Sequence, residues 1–455
     1  MSKLNKRDIS AILLLVIVFL SGRAEYPVNY EVSLTGGSGS GDFAPYYISA
    51  LRGGRISSAS DFQAEASLWR DYDRSQRFSY GFGADIISGY ASSVDYERYE
   101  VADGEWYRHP MRPSSLWVQQ LYGELKYRSL FLSAGLREHE SALLNQRLTS
   151  GDLVESGNSR PIPQVRIGFI DFQDIPFTQG WVQIQGEISY GKKFDNGWWR
   201  DHYNYFNSFL SVNEWYTYKR CYFRSRPSEP FSVTAGMQVA GEFGGTTYKY
   251  RKGKCYEVQH NHVGLSTFFK MIVPINDGDE AYHVGNHLGS WDFRARYRLK
   301  SGHKLYGYFS WPFEDGTGIG KRNGWDGLWG LEYKAPADGI INGAVIEYMD
   351  YTNQSGPIHF NPDDYSGTTI SDHVNGADDY YNHASYNSYA YYGMSIGTPA
   401  LMAPIYNLDG YNRYVGNAMR GFHVAVEGKF SPEVGYRLKG GYRKAWGSGY
   451  QMLPA

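Results

Sequence analysis

From Phe62 onward the chain repeatedly alternates apolar and polar residues over short stretches, and only a backbone with a two-residue period sorts such residues onto opposite faces. In Val182 to Tyr190, Val182, Ile184, Ile188 and Tyr190 fall on one face, with Gln183, Gln185, Glu187 and Ser189 on the other. Phe62–Leu68, Phe293–Leu299 and Phe422–Phe430 repeat the pattern. Mean hydropathy is −0.50, no apolar run follows the first twenty residues, and the polar sets are too charged for a core. The pattern therefore calls for an antiparallel sheet with one apolar face and one strongly polar face.

A soluble sandwich alternates too. Three features favour a transmembrane barrel. Aromatic residues make up 17% of the chain, with 41 Tyr and 12 Trp, which suits interfacial girdles of amphipathic rings. Glycine is plentiful, at 53 residues. Lys3, Lys6 and Arg7 precede the apolar run Ala11 to Leu20, and Gly22-Arg23-Ala24 supplies a small-x-small cleavage site, the layout of a secretory signal peptide over residues 1–24. The apolar run is about half the roughly twenty residues of a spanning helix. No cysteine near the cleavage site offers a lipid anchor.

Sixteen segments read as strands: Tyr30–Thr35, Tyr46–Arg52, Phe62–Arg70, Phe78–Ile87, Trp117–Tyr127, Leu130–Arg137, Gln164–Asp171, Trp181–Lys192, Phe209–Tyr218, Phe231–Glu242, Trp291–Leu299, Lys304–Pro312, Gly327–Lys334, Ile341–Tyr351, Phe422–Phe430 and Tyr436–Trp446. The fold class is all-β, an antiparallel barrel in one domain over residues 25–455. Connections are unequal. Lys300-Ser301-Gly302 and Ser431-Pro432-Glu433 are tight turns, whereas Asn353 to Arg420 is long and rich in Tyr, Asn, Asp and Gly, and long loops in a compact fold are usually functional. The chain stops at Ala455 directly after a strand, without a terminal aromatic. Open strand edges are costly in lipid, so a C-terminal truncation is expected.

A formal charge of −2 argues against nucleic acid. Cys221 and Cys255 match no zinc spacing and are free to pair if they lie on neighbouring strands. No metal or cofactor is expected. No G-x-S-x-G or H-E-x-x-H occurs, and no nucleophile stands beside His139, so no enzyme is expected.

Gly135-Leu136-Arg137-Glu138-His139-Glu140, followed by Leu148 to Gly168 with the run Ser156-Gly157-Asn158-Ser159-Arg160-Pro161-Ile162-Pro163-Gln164-Val165-Arg166-Ile167-Gly168, resembles the capsule-assembly Wzi family, and within it the Bacteroidetes branch. Asp379-Tyr380-Tyr381-Asn382-His383, Tyr391 to Pro399 and Gly416-Asn417-Ala418 extend the resemblance over most of the mature chain. It implies an eighteen-stranded outer-membrane barrel, a surface lectin that holds capsular or exopolysaccharide. Enterobacterial members begin with a periplasmic helical bundle, whereas here strand-like sequence starts almost at the mature N-terminus. The expected partners are polysaccharide and outer-membrane lipid, with the chain a monomer; the runner-up function is a carbohydrate-uptake porin.

Three groups of site residues follow. Glu138 to Pro163 cannot be a strand: Gly157, Asn158, Arg160, Pro161 and Pro163 fix an irregular backbone, either a rigid inter-strand loop or a plug in which Arg160 bridges lumen carboxylates. Arg294, Arg296 and Arg298 share a lumen face, where they attract uronic acids or are neutralised by inward carboxylates such as Glu65, Glu187 and Glu427. Sugar recognition combines aromatic platforms with amides and carboxylates, which selects Trp198 and Trp199 in one loop and Asp379, Tyr380, Tyr381, Asn382, His383 and Tyr391 in another. The two tryptophans suit a membrane girdle equally well. Function is expected in Glu138–Pro163 and Asn353–Arg420, where the alternation breaks.

Overall fold

A computed structural model of the chain describes residues 28–272, 285–314, 323–354, 379–383 and 385–448, together with the backbone of 359–360 and 374–375. The expected signal peptide and the chain end from 449 lie outside them. Fifteen antiparallel strands form one continuous wall in chain order. They are β1 Asn29–Gly37, β2 Asp61–Arg70, β3 Phe78–Ala91, β4 Leu116–Tyr127, β5 Leu130–Leu136, β6 Pro163–Phe169, β7 Val182–Lys192, β8 Trp215–Ser225, β9 Phe231–Phe243, β10 Asn286–Arg298, β11 Lys304–Phe313, β12 Gly327–Lys334, β13 Gly343–Asp350, β14 Met419–Lys429 and β15 Gly435–Ala445. A two-residue segment, Gln173–Asp174, pairs with β7 as the sixteenth member of the sheet. Each wall strand is bonded to its sequence neighbour, as in an up-and-down barrel. Among the described residues β1 and β15 do not pair with each other.

The period-two pattern gives the wall its two faces. Tyr30, Leu121, Ile167, Phe293, Ile346 and Phe422 are exposed on the outside, while Gln238, Asp292, Glu332, Glu347 and His423, one step out of phase, are buried inside. A bulge between Asp85 and Ile86 in the β3–β4 register turns both Gln119 and Gln120 inward, where Gln119 Nε2 donates to the Gly53 carbonyl at 2.7 Å and the Glu138 amide donates to Gln120 Oε1 at 2.9 Å. Bulges re-aim side chains in this way.

Connections alternate between the two ends. Segments 71–77, 128–129, 226–230, 299–303 and 430–434 are short turns at one end, whereas 38–60, 92–115, 137–162, 193–214 and the described parts of the connections after β9 and β13 are long loops at the other. In transmembrane barrels the long loops face outward from the cell.

The interior is packed. Loop 137–162 folds between the walls: Thr149 Oγ1 and the Ser150 amide donate to Glu347 at 2.6 and 2.7 Å, Gln238 Nε2 donates to Asp152 at 2.8 Å, and His423 Nε2 donates to the Leu148 carbonyl at 2.7 Å. Leu153, Val154 and Ile162 of this loop share one core with Tyr216 and Tyr218 from the wall and Tyr380, Tyr381, Tyr389 and Leu401 from the long final loop.

Several expectations change. Tyr46–Arg52 is not a strand: Tyr46–Ser49 is a helical turn after Pro45, and a run this short looks alike at either period. Phe209–Tyr218 straddles two elements, Ser208–Val212, which pairs with Gly245–Arg251, and β8. Cys221 and Cys255 are both free thiols.

Candidate functional site

A cleft of about 360 Å³ opens at the long-loop end. Its walls come from four places in the sequence: the hairpin Val94–Glu100/Glu105–Met111, the loop 43–58, the helix-bearing loop after β7, and the turn at Tyr391–Met394. Arg160 of the interior loop reaches it as well.

The aromatic platform is fixed by local chemistry. Asp195 ties down the turn that leads into the short helix Trp198–His202, accepting from the Gly197 amide at 3.0 Å and the Trp199 amide at 2.9 Å, a bonding role in which Asp is favoured. Trp198 stacks on His202 with centroids 4.6 Å apart and planes 18° apart. Opposite it, Ala390–Tyr391 and Met394–Ser395 form a hairpin whose tip residues, Tyr392 and Gly393, have φ of 50° and 71°, the backbone of a two-residue primed turn. A Cβ on Gly393 would lie 2.1 Å from the Trp198 ring, so only glycine lets the indole seat there. The Tyr391 hydroxyl donates to the Phe194 carbonyl at 2.6 Å. The two loops selected from sequence as sugar-binding thus meet at one cleft, through Trp198 and Tyr391.

The remaining selected residues lie beneath it. Trp199 is 3% exposed, and Tyr380 and Tyr381 are fully buried. The Tyr380 hydroxyl donates to the Gln354 carbonyl at 2.7 Å, and the Tyr381 hydroxyl donates to the Leu153 carbonyl. Asp379 accepts from Asn417 at 3.2 Å, Asn382 donates to the Tyr414 carbonyl at 2.9 Å, and His383 Nδ1 accepts from the Ser385 amide at 3.0 Å. These bonds hold the loop-on-loop core that supports the cleft. Burial keeps both imidazoles neutral, pulling His202 down to about 3 and His383 down to about 4, the latter helped by nearby Arg413.

Arg160 departs from its expected role. Among the described residues it bridges no carboxylate; its guanidinium lies 4.5 Å from the Trp117 ring centroid and 4.5 Å from that of Tyr392, within cation–π range. The rest of the motif is structural. Gly157 has φ of 72° and a Cβ there would meet the His139 carbonyl at 2.6 Å; Asn158 accepts from the Leu51 amide and donates to the Ser395 carbonyl, each at 3.0 Å. Pro161 ends the buried loop and Pro163 begins β6.

Arg294, Arg296 and Arg298 share the inward phase of β10, and only Arg294 is neutralised by a carboxylate, one other than those expected. Arg294 pairs with Glu332 at 2.6 Å; Arg296 donates to the Pro227 and Glu229 carbonyls at 2.7 and 2.8 Å, and Arg298 to the Ser228 carbonyl at 2.5 Å. Glu65 pairs instead with Arg55, Glu187 with Arg166 and Arg220, and Glu427 with Arg147 and Arg437. Such a row is not free to draw a ligand. Among the described residues no group of three or more His, Cys, Asp or Glu side chains is placed to hold a metal ion.

Sequence reasoning missed the hairpin Val94–Met111, although Asp103-Gly104 at its tip is a strong hairpin signal. It also missed Trp117 and Tyr392 as the partners of Arg160, for which no sequence signal exists.

Fold and cleft define a class: a β-barrel of the outer-membrane type whose interior is filled by its own loops and whose long-loop end carries an aromatic cleft. No family model matches the chain, and no curated protein matches it. Among solved structures it is similar to Wzi of Escherichia coli, an outer-membrane protein involved in group 1 capsule assembly and a carbohydrate-binding β-barrel, with a TM-score of 0.50 and 13% identity over 98% of this chain and 76% of that one. That likeness is one of fold. Two looser matches, Pseudomonas aeruginosa OccK11 (TM-score 0.30, 8% identity, 92% of this chain and 90% of that one) and a variant of the Rh. blastica porin (0.26, 9%, 70% and 94%), carry no argument.

Proposed function

We propose that the chain is a non-enzymatic, monomeric outer-membrane barrel that binds capsular or exopolysaccharide at its outer face and so aids capsule attachment, with lipid around its wall. The observation that carries this is the cleft itself, where Trp198 and Tyr392 present rings beside the polar side chains of Asn196, Asp201 and Arg160. Aromatic faces and adjacent polar groups suit the two chemistries of a sugar ring. The carbohydrate-binding Wzi barrel supports the same reading by fold. An uptake porin would need an open path, and loop 137–162 lies across the interior.

The test is titration of purified, detergent-solubilised protein with polysaccharide from the producing bacterium, in parallel with Trp198→Ala. Saturable binding that weakens at least tenfold in the variant, with an unchanged circular dichroism spectrum, is the expected result. Binding indifferent to Trp198, or none at all, contradicts the reading.

A further inference from the structure

Arginines inside and above this barrel are matched to carboxylates with some regularity. Arg55 pairs with Glu65 and Glu138, Arg137 with Glu124, Arg166 with Glu155 and Glu187, and Arg294 with Glu332. Arg296 and Arg298 are held by backbone carbonyls instead, and Arg160 follows neither course. Among the described residues no carboxylate lies within ion-pair distance of it, and its close neighbours are the rings of Trp117 and Tyr392. Gly54, with φ of 66°, lets the backbone of Arg160 approach closely: a Cβ there would lie 2.8 Å from the Arg160 amide. The side chain is therefore positioned by its surroundings and half withdrawn from water, which leaves a charge with aromatic support and no counter-ion.

The cleft's own acids do not answer that charge. Asp195 already accepts the Gly197 and Trp199 amides. Asp201 lines the same cleft without forming an ion pair with Arg160, and its charge acts on His109. The Trp117 and Tyr392 rings flank the guanidinium and the Tyr392 hydroxyl accepts from it, which leaves its other N–H groups to a ligand, and a planar fork of N–H donors matches a planar carboxylate.

We propose that Arg160 is the acid-selecting residue of the cleft, pairing with the carboxylate of a uronic-acid unit while Trp198 and Tyr392 contact the sugar rings. This rests on the polysaccharide-binding reading above and adds a ligand class to it: the glycan is anionic through carboxylates.

The test uses three probes of equal length: oligogalacturonate, the same oligomer with its carboxyls reduced to alcohols, and a sulfated galactan. In the unaltered protein the uronate is expected to bind at least tenfold tighter than its reduced form and tighter than the sulfated chain. In Arg160→Gln the uronate-to-reduced ratio should fall to about one, and in Arg160→Lys to an intermediate value, because the charge remains and the fork is lost. Trp198→Ala should weaken both forms together and keep the ratio. A ratio near one in the unaltered protein, which needs no variant to fold, overturns the inference and leaves the lectin reading standing. So does a ratio that survives Arg160→Gln, or equal binding of the sulfated chain, which would mean recognition of any anion. No binding of any probe overturns the inference too, while titration with the producing bacterium's own polysaccharide decides the lectin reading separately.

Discussion

On the outer face of the wall, Tyr30, Ile167, Ile346 and Tyr442 stand exposed, whereas on the inner face of the same sheet Glu347 accepts three hydrogen bonds and Arg166 meets two carboxylates. The outer side chains answer to one requirement, an apolar surrounding, which any large hydrophobic group meets. The inner ones answer to particular partners, often more than a hundred residues away in sequence. A change outside should therefore matter through its polarity, and a change inside through the partner it abandons.

The largest effect is expected at Lys193, which is buried between Glu214 and Glu242 at 2.6 Å from each. Lys193→Met leaves two carboxylates uncompensated, and breaking a buried pair in this way costs about 3–5 kcal/mol; urea unfolding in detergent should show it. An outer-face counterpart is Ile346→Arg at mid-strand, expected to cost about 2–4 kcal/mol if the residue meets the bilayer midplane, while Ile346→Leu should cost almost nothing. If both Ile346 variants behaved alike, the outer face would not be reading lipid.

Acid should act on the packing beneath the cleft. His202 is held neutral, with its pKa pulled to about 3 by burial, so between about pH 6.5 and 3 the unfolded chain binds a proton that the folded chain does not. Stability present above pH 6.5 is lost as pH falls through that window, about 2 kcal/mol by pH 5. Unfolding midpoints at pH 7 and pH 5 should differ by correspondingly less in His202→Phe. The smallest of the four is Glu347→Gln: an amide cannot accept all three of its hydrogen bonds, and about 1–2 kcal/mol is expected. Its sharper signature is loosened anchoring of Thr149 and Ser150, read as faster amide exchange in loop 137–162.

The same contrast explains what the sequence made legible. All but two of the sixteen alternating segments coincide with wall strands, because a sheet with one apolar and one polar face imposes a period that can be read one strand at a time. Tyr46–Arg52 alternates over too few residues for the period to decide, and Pro45 settles it as a turn. Inside, residue type was readable and partnership was not. That Arg294 points inward follows from its phase; that Glu332 rather than Glu65 receives it depends on which strand is next but one in the sheet. The Tyr-rich segment was recognisable as a loop with a special composition, yet whether Tyr380 and Tyr381 face solvent or Leu153 depends on the whole interior packing. Trp198 and Tyr391 were selected from separate loops, and their meeting at one cleft is a property of the fold alone.

Planar-bilayer recording of the purified protein tests the central claim most directly, because a barrel filled by its own loops and a porin differ in that one quantity. The account predicts no steady open level from the intact chain, and a stable ion conductance once residues 141–154 are replaced by a short glycine-serine linker. A steady, porin-like conductance from the intact protein would contradict it.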